Sequence, residues 1–281
     1  MTFTPIIPAS GVIGLRLLSQ TQETQRAVFD QQPQLARDVN YFTEKIAAVR
    51  TAEDLVGDRR LLRVALGAFG LDDEIDKGAF IRKILEEGSE DQDAFANRLV
   101  DPRYVNFTRA LGFGDLLGAR TGDVGFAAEI TSAYKERQFE LAVGEQDSSL
   151  RLALNFRREI ATYANASDPE NTAWFSAMGD LPVRTVFEGA FGLSSSFGQL
   201  DIDRQRDELQ DLNNKFFGSK SLAVFQDSAE VESLINRFLV RRSIEEGPSP
   251  TTNGFTALTL LSNAANGVGS TGIQNIVLSS G

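Results

Sequence analysis

Gly67-Ala68-Phe69-Gly70-Leu71 returns 122 residues later as Gly189-Ala190-Phe191-Gly192-Leu193. Upstream of the two copies lie Phe42-x-x-x-Ile46 and Phe156-x-x-x-Ile160, at an offset of 114. Downstream lie Asn97-Arg98-x-Val100 and Asn236-Arg237-Phe238-Leu239, at an offset of 139. Because repeats set architecture, we interpret the pattern as a helical unit present twice, with insertions in the second copy. The alternative is that helix ends rich in alanine and phenylalanine converge by chance on this five-residue sequence, which we call the repeated word.

Each copy of the word closes an apolar run at helical spacing. Leu62, Ala65 and Leu66 precede the first glycine stop, and Val183, Val186 and Phe187 precede the second. A helix C-terminus tolerates glycine in the left-handed conformation, and a following leucine can fold back onto the last turn. The word therefore predicts a core face followed by a helix cap. Its structural residues are Gly67, Phe69, Gly70, Leu71, Gly189, Phe191, Gly192 and Leu193.

Composition indicates a soluble globular protein with a substantial core. The 281 residues are 42% apolar and 24% charged, and phenylalanine (20 residues) far exceeds tyrosine (4) and tryptophan (1). The net charge of −11 argues against nucleic-acid binding, which needs clustered cations to neutralise phosphates. No stretch approaches 18 apolar residues, so we expect no transmembrane helix, and the N-terminus lacks a classical signal peptide.

The chain contains no cysteine and no histidine. Their absence removes disulfides, thiolate nucleophiles, Ser-His-Asp catalysis and Cys/His zinc sites from consideration. The serines at 194–196 therefore have no histidine base. We assign no catalytic, cofactor-binding or metal-binding residues and expect no cofactor.

Two further motifs fail on their physical requirements. The acidic run Asp72–Asp76 would need glycine at the sixth and glutamate at the twelfth position of a calcium loop, but lysines stand at both. We interpret it as a solvated helix start. Gly267-Val268-Gly269-Ser270-Thr271-Gly272 spells a dinucleotide fingerprint, but the chain ends nine residues later, without the required helix and acid.

The spacing of apolar residues and the positions of capping and helix-breaking residues predict helices along most of the chain, and hence an all-α, multi-helix array. Thr51-Ala52-Glu53-Asp54 has capping-box spacing, and Asp58 and Asp203 are candidate caps of later helices. Residues 112–122 hold four glycines and suggest a linker before a long helical segment from Val124 to Tyr163 with a break near Gly144. We divide the chain into an arm (1–9), a first helical repeat (10–122), a long helical segment plus second repeat (123–246) and a polar uncharged tail (247–281).

The tail differs in composition from the rest, since it lacks Asp, Glu, Lys and Arg from Thr251 onward. One interpretation is a flexible end. The other is an adhesive segment that packs on a partner or a second subunit, because apolar residues in an uncharged segment order when buried. The candidate interaction residues are Phe255, Leu258, Leu261, Ile273, Ile276 and Leu278.

Several short sequence segments across residues 12–243 together resemble those of a known family. They include Thr51-Ala52-Glu53-Asp54-Leu55-Val56, Phe95-Ala96-Asn97-Arg98-Leu99, Asp101-Pro102-Arg103-Tyr104, Arg151-Leu152-Ala153-Leu154 and both copies of the repeated word. The chain is similar to alphaproteobacterial proteins that share a domain of unknown function and are encoded in flagellar gene clusters. The resemblance implies a role in flagellar assembly or motility and no assigned activity.

The leading hypothesis is a non-enzymatic flagellum-associated assembly or interaction protein that acts through apolar helix faces and the tail. We expect protein partners, either flagellar components or a second copy of the chain, and a cytoplasmic or flagellum-associated location. One alternative is an enzyme that uses carboxylate or Ser-Lys chemistry in a helical pocket. Another is an acidic adaptor or chaperone for a flagellar subunit.

Overall fold

The computed structural model describes residues 3–246, and these residues form α-helices and short 3-10 turns without any strand. The α-helices are α1 (Gly11–Phe29), α2 (Pro33–Lys45), α3 (Ala52–Gly57), α4 (Arg59–Ala68), α5 (Gly78–Glu87), α6 (Pro102–Leu111), α7 (Phe126–Gly144), α8 (Ser148–Ala164), α9 (Thr172–Gly179), α10 (Leu181–Phe191), α11 (Ile202–Phe217) and α12 (Ser228–Glu246). The prediction of an all-α fold is confirmed over this range. No helix of the described residues has the length and hydropathy required to cross a bilayer.

Side-chain caps fix where several helices begin. Thr51 accepts a hydrogen bond from the Asp54 N–H (3.1 Å) while Asp54 accepts one from the Thr51 N–H (3.0 Å), which confirms the capping box. Asp58 caps α4 by accepting from the N–H groups at 60 and 61. The prediction for α11 was wrong by two residues, because Asp201 is the cap and Asp203 lies in the first turn.

Both copies of the repeated word end their helices with the same geometry. Gly70 and Gly192 have φ of +69° and +70°. The Leu71 N–H donates to the Leu66 carbonyl (3.0 Å), and the Leu193 N–H donates to the Glu188 carbonyl (2.9 Å). These bonds satisfy carbonyls that a helix C-terminus otherwise leaves unpaired, as in the Schellman motif.

The two helices that carry the word each pack a glycine against an aromatic ring. A Cβ at Gly67 of α4 would lie 2.7 Å from the Tyr134 ring of α7, and one at Gly189 of α10 would lie 2.7 Å from the Phe238 ring of α12. Glycine therefore allows each helix pair to approach closely. Around these contacts, one continuous apolar core includes Phe42, Phe107, Phe156 and Phe187.

Two equivalent hydrogen bonds to capping aspartates show which residues correspond around the two copies of the repeated word. The Tyr41 hydroxyl donates to Asp58 (2.6 Å), and the Tyr163 hydroxyl donates to Asp180 (2.9 Å). Both residues of each pair are offset by 122, as the word is. The proposed equivalence of Phe42 with Phe156 at an offset of 114 does not share this register.

The downstream match has no common structural setting. Asn97 and Arg98 lie in a short 3-10 turn, whereas Asn236 and Arg237 lie in α12. The helix that packs on the first word is instead α7, just as α12 packs on the second. Duplication and the division at 122/123 stay predictions, and the bonds described here group α7 with the first word.

Two local predictions fare differently. The break near Gly144 is confirmed, because α7 ends there and Asp147 caps α8 by accepting from the N–H groups at 149 and 150. The solvated interpretation of residues 72–76 was wrong for Glu74, which is buried and pairs with Lys77 (2.9 Å).

The tail residues Phe255, Leu258, Leu261, Ile273, Ile276 and Leu278 lie outside the described residues.

Candidate functional site

A glycine-rich loop after α6 presents two leucines to solvent. Gly112 ends α6 in the left-handed conformation (φ +69°), and its N–H donates to the Thr108 carbonyl (2.9 Å). The chain then turns through residues 112–118, which we call the leucine loop. Leu116 and Leu117 are 95% and 94% exposed. Exposed apolar side chains that lie together can mark a site of interaction with another protein.

The leucine loop is fixed by hydrogen bonds to the turn at residues 88–90. The Asp115 carboxylate accepts from the Ser89 N–H (2.6 Å), the Ser89 hydroxyl (3.0 Å) and the Glu90 N–H (3.3 Å). In return, the Leu116 N–H donates to the Glu90 carboxylate (3.0 Å). Gly114 has no room for a Cβ, because it packs directly on the Gly88 backbone. The prediction that residues 112–122 link two helices agrees with the helix boundaries, because the segment joins α6 to α7 without a helix. These hydrogen bonds brace it against the turn at residues 88–90.

A cleft of about 500 Å³ adjoins the exposed leucines. Its lining combines the apolar Leu117 side chain with charged groups of both signs, and its residues are Ser89, Glu90, Arg109, Gly112, Asp115, Leu117, Gly118 and Arg120. An apolar centre with a charged rim is the usual composition of a protein-binding surface. In the sequence this surface is marked only by the pair Leu116-Leu117 within a run of glycines, a pattern that is equally compatible with burial.

A second exposed apolar surface lies on α1 and on the last turns of α12. Ile13 and Leu17 share one side of α1, and Val240 and Ile244 share one side of α12; all four are exposed. The N-terminal segment and α1 also line a mostly apolar cleft of about 400 Å³ that includes Ile6 and Leu17. Both ends of the described chain therefore carry apolar surface.

Buried charges join α7 to α8. Arg158 pairs with Glu140 (2.8 Å) and with Glu159, and Arg137 pairs with Glu159 as well. The Arg137 Nε also donates to the Ala68 carbonyl in the first repeated word (2.9 Å). Each carboxylate in this network has a guanidinium partner, so the network neutralises itself. This arrangement stabilises a junction between helices and leaves no free acid or base for chemistry.

Asp180 is the most deeply buried acid near this network, at 2% exposure. Burial raises the pKa of Asp180, while the hydrogen bond from Tyr163 lowers it and nearby Glu159 raises it. A raised carboxyl pKa is typical of general acids, but such a group also needs access to substrate. Asp180 instead caps α10 by accepting from the Val183 N–H (3.3 Å). Its bonding is that of a helix cap.

The residues of the repeated word serve the packing described above. The structure brings Gly67 and Gly70 onto α7, and Gly189 and Gly192 onto α12. It does not bring the two words together into one pocket, because each closes a separate helix pair. These residues hold α4 against α7 and α10 against α12.

A model of the family described as "Protein of unknown function (DUF1217)" matches residues 68–231, more than half of the chain. The chain belongs to the DUF1217 family. The matched region runs from the end of α4 into α12, so it contains the leucine loop, the α7–α8 charge network and the second repeated word.

A solved structure shares the fold of this DUF1217 protein. The X-ray crystal structure of a protein from Agrobacterium tumefaciens is 29% identical in sequence, with a TM-score of 0.71. The match covers 88% of this chain and 100% of the other. No curated protein matches the chain.

Proposed function

We propose that this DUF1217 protein is a non-enzymatic flagellum-associated assembly protein, and that the leucine loop is its main contact for a protein partner. The observation that carries the proposal is the combination of full exposure and rigid support at Leu116 and Leu117. A partner that covers these side chains removes apolar area from water, which contributes about 1.5–3 kcal/mol for each leucine.

Rigid support matters because association also costs conformational entropy. Ordering an exposed side chain or loop at an interface costs about 0.5–1.5 kcal/mol per side chain. In the leucine loop, the Asp115 and Glu90 carboxylates already hold the backbone. The partner therefore meets a preformed apolar knob, and less of the binding free energy is lost to ordering.

The flagellar setting rests on the sequence resemblance to proteins encoded in flagellar gene clusters. An assembly role fits a chain whose exposed features are apolar surfaces. The competing enzymatic hypothesis has less support, because Glu140 and Glu159 are engaged by arginines and Asp180 is a helix cap.

A complementation assay tests the role of the loop. In a strain that lacks the gene, the wild-type protein should restore swimming in soft agar, and the double variant Leu116→Ser/Leu117→Ser should not. Since both side chains are exposed, the double variant should unfold at the same temperature as wild type. Leu181→Ser is the matched control, because Leu181 is also an exposed leucine but lies on α10. Normal swimming of the deletion strain, or full complementation by the double variant, would contradict the proposal.

We propose the tail as a second contact. It follows α12 directly, where Val240 and Ile244 add exposed apolar surface, and it carries no acidic or basic side chain. Removing residues 251–281 should lower self-association or partner binding in sedimentation-velocity measurements. Unchanged association and unchanged stability after the deletion would show that the tail is not a contact.

A further inference from the structure

Two cationic side chains lie at the Phe216 ring of α11, and a third lies nearby on α12. The Arg237 guanidinium carbon lies 3.6 Å from the centre of the Phe216 ring, and the Lys215 ammonium lies 5.4 Å from it. Arg241, one turn beyond Arg237 on α12, places its guanidinium against Gly192. We call Lys215, Phe216, Arg237 and Arg241 the basic patch. Lys215 is exposed and both arginines are half-buried, so solvent reaches the patch.

No carboxylate of the described residues lies within 4.0 Å of any of these three cations. Two acids on the adjoining helices are engaged elsewhere: Asp211 pairs with Lys220 (2.7 Å), and Glu188 pairs with Arg184 (2.6 Å). Residues 247–281 contain no Asp or Glu in sequence. The chain's own acidic side chains therefore leave the basic patch without an anion.

The first repeated word shows what a guanidinium in this setting binds. The Arg137 Nε donates to the Ala68 carbonyl (2.9 Å), and the Arg237 Nε donates to the matching Ala190 carbonyl (2.7 Å). Arg137 also pairs with the carboxylate of Glu159. Arg237 occupies the same place at the second word and has no such carboxylate.

Two further observations indicate that an anion would be accommodated. The Arg241 Nε is buried and has no hydrogen-bond acceptor among the described residues, which is unusual for a buried polar group. Desolvation lowers the pKa of Arg237, and the like charge of Arg241 lowers it further. An anion between the two guanidiniums would accept the unused hydrogen bonds and remove the repulsion.

We propose that the basic patch binds the carboxylates of a short acidic segment of a partner protein. A glutamate or aspartate side chain suits the patch, because a carboxylate accepts charge-assisted hydrogen bonds from guanidinium groups. The net charge of −11 disfavours a long polyanion such as nucleic acid, which would meet repulsion beyond the patch. The proposal concerns α10–α12 and does not depend on the leucine loop.

Fluorescence anisotropy of a labelled hexaglutamate peptide, titrated with the full-length protein at low ionic strength, tests this site. We expect saturable binding that weakens about tenfold in Arg241→Gln, since one charge-assisted interaction is lost. Lys215→Gln should also weaken binding. Because Lys215 is exposed, this substitution should not disturb the fold, so weaker binding would not reflect misfolding. Arg204→Gln removes the same charge from the first turn of α11 and should bind like wild type.

Each other outcome overturns the proposal. Equal affinities of Arg241→Gln, Lys215→Gln and Arg204→Gln would show that only net charge matters. Displacement of hexaglutamate by inorganic phosphate at a lower concentration than by free glutamate peptide would assign the patch to phosphate instead. Absence of binding by the wild-type protein would exclude a carboxylate site. None of these results bears on the swimming assay of the leucine loop.

Discussion

Tyr41 and Tyr163 make the same contact in two different environments. Each donates its hydroxyl to the aspartate that caps the helix carrying the repeated word. The Tyr163–Asp180 bond is buried, whereas the Tyr41–Asp58 bond is only partly buried. A hydrogen bond shielded from water leaves a larger penalty when one partner is removed, because the remaining group cannot turn to solvent.

Tyr163→Phe should therefore lower the free energy of unfolding by about 1–2 kcal/mol, because the buried Asp180 carboxylate loses its hydrogen-bond donor. Tyr41→Phe is the matched substitution at the equivalent position and should cost less, since water can replace the lost hydroxyl at Asp58. Urea denaturation followed by circular dichroism measures both. Equal losses would show that burial does not distinguish the two bonds.

Asp180 should make stability depend on pH in a defined direction. Burial raises its pKa in the folded protein above the ordinary value of 3.8. A group that holds its proton more tightly when folded contributes stability below pH 3.8, and that contribution is lost as pH rises through the raised pKa. Asp180→Asn cannot titrate, so the stability of this variant relative to wild type should improve as pH rises from below 3.8 toward neutrality. A difference independent of pH would contradict the assigned shift.

At the scale of helices, the repeated word combines a cap with a close contact. The C-terminal glycines Gly70 and Gly192 turn the chain, while Gly67 and Gly189 let the helices approach Tyr134 and Phe238. The first role is visible in sequence, because a glycine that follows an apolar run predicts a cap. The second role is invisible there, because it depends on a ring brought in from a distant helix.

Gly189→Ala should destabilise the protein by about 1–3 kcal/mol, because the added methyl overpacks the contact with Phe238 and forces α10 and α12 apart. Gly57→Ala is the control: a Cβ there meets nothing within 4 Å, and alanine favours helix, so its effect should be neutral or slightly stabilising. Thermal unfolding of both variants checks the difference. A stable Gly189→Ala protein would mean that the helix pair adjusts freely.

Local signals predicted the helices well, and long-range contacts explain the errors. Thr51 and Asp58 act within a few residues of their own positions, so their capping roles follow from sequence spacing. The brace of the leucine loop could not be predicted in that way, because Asp115 finds its donors at residues 89 and 90. The glycines of this segment predicted a linker, and Gly114 also allows the close approach to the Gly88 backbone that fixes the loop.

At the scale of the whole molecule, the α7–α8 charge network joins the part of the chain built around the first word to the part built around the second. Arg158 is its centre, with Glu140 on α7 and Glu159 on α8. The opposite charges keep the pKa of Arg158 well above its ordinary value despite the burial of its side chain. Removal of one member would leave its partners charged and shielded from water.

Arg158→Leu should lower the free energy of unfolding by about 3–5 kcal/mol, since breaking a buried ion pair from one side leaves an uncompensated charge. Arg157→Leu is the neighbouring control. Arg157 pairs with Glu232 across α8 and α12, but both side chains are partly exposed, so the loss should be about 0–1 kcal/mol. Guanidinium denaturation reports both values. Similar losses would argue that the network is no more important than a surface pair.

Exclusion of histidine and cysteine chemistry led to an interaction hypothesis, which stays a prediction. Sequence alone could not single out Leu116 and Leu117, because an apolar pair is just as compatible with a buried position. The basic patch was equally hidden, since Lys215, Arg237 and Arg241 become neighbours only through the packing of α11 and α12.

The brace beneath the leucine loop also determines how this epitope can be imitated. Ser89 and Asp115 are 26 residues apart, so the surface is discontinuous in sequence. A synthetic peptide of residues 112–118 would lack the donors of the turn at 88–90 and would sample many shapes. Antibodies raised against such a peptide would recognise the folded protein poorly. A useful mimic or immunogen has to carry both segments, cross-linked at the spacing that the native turn imposes.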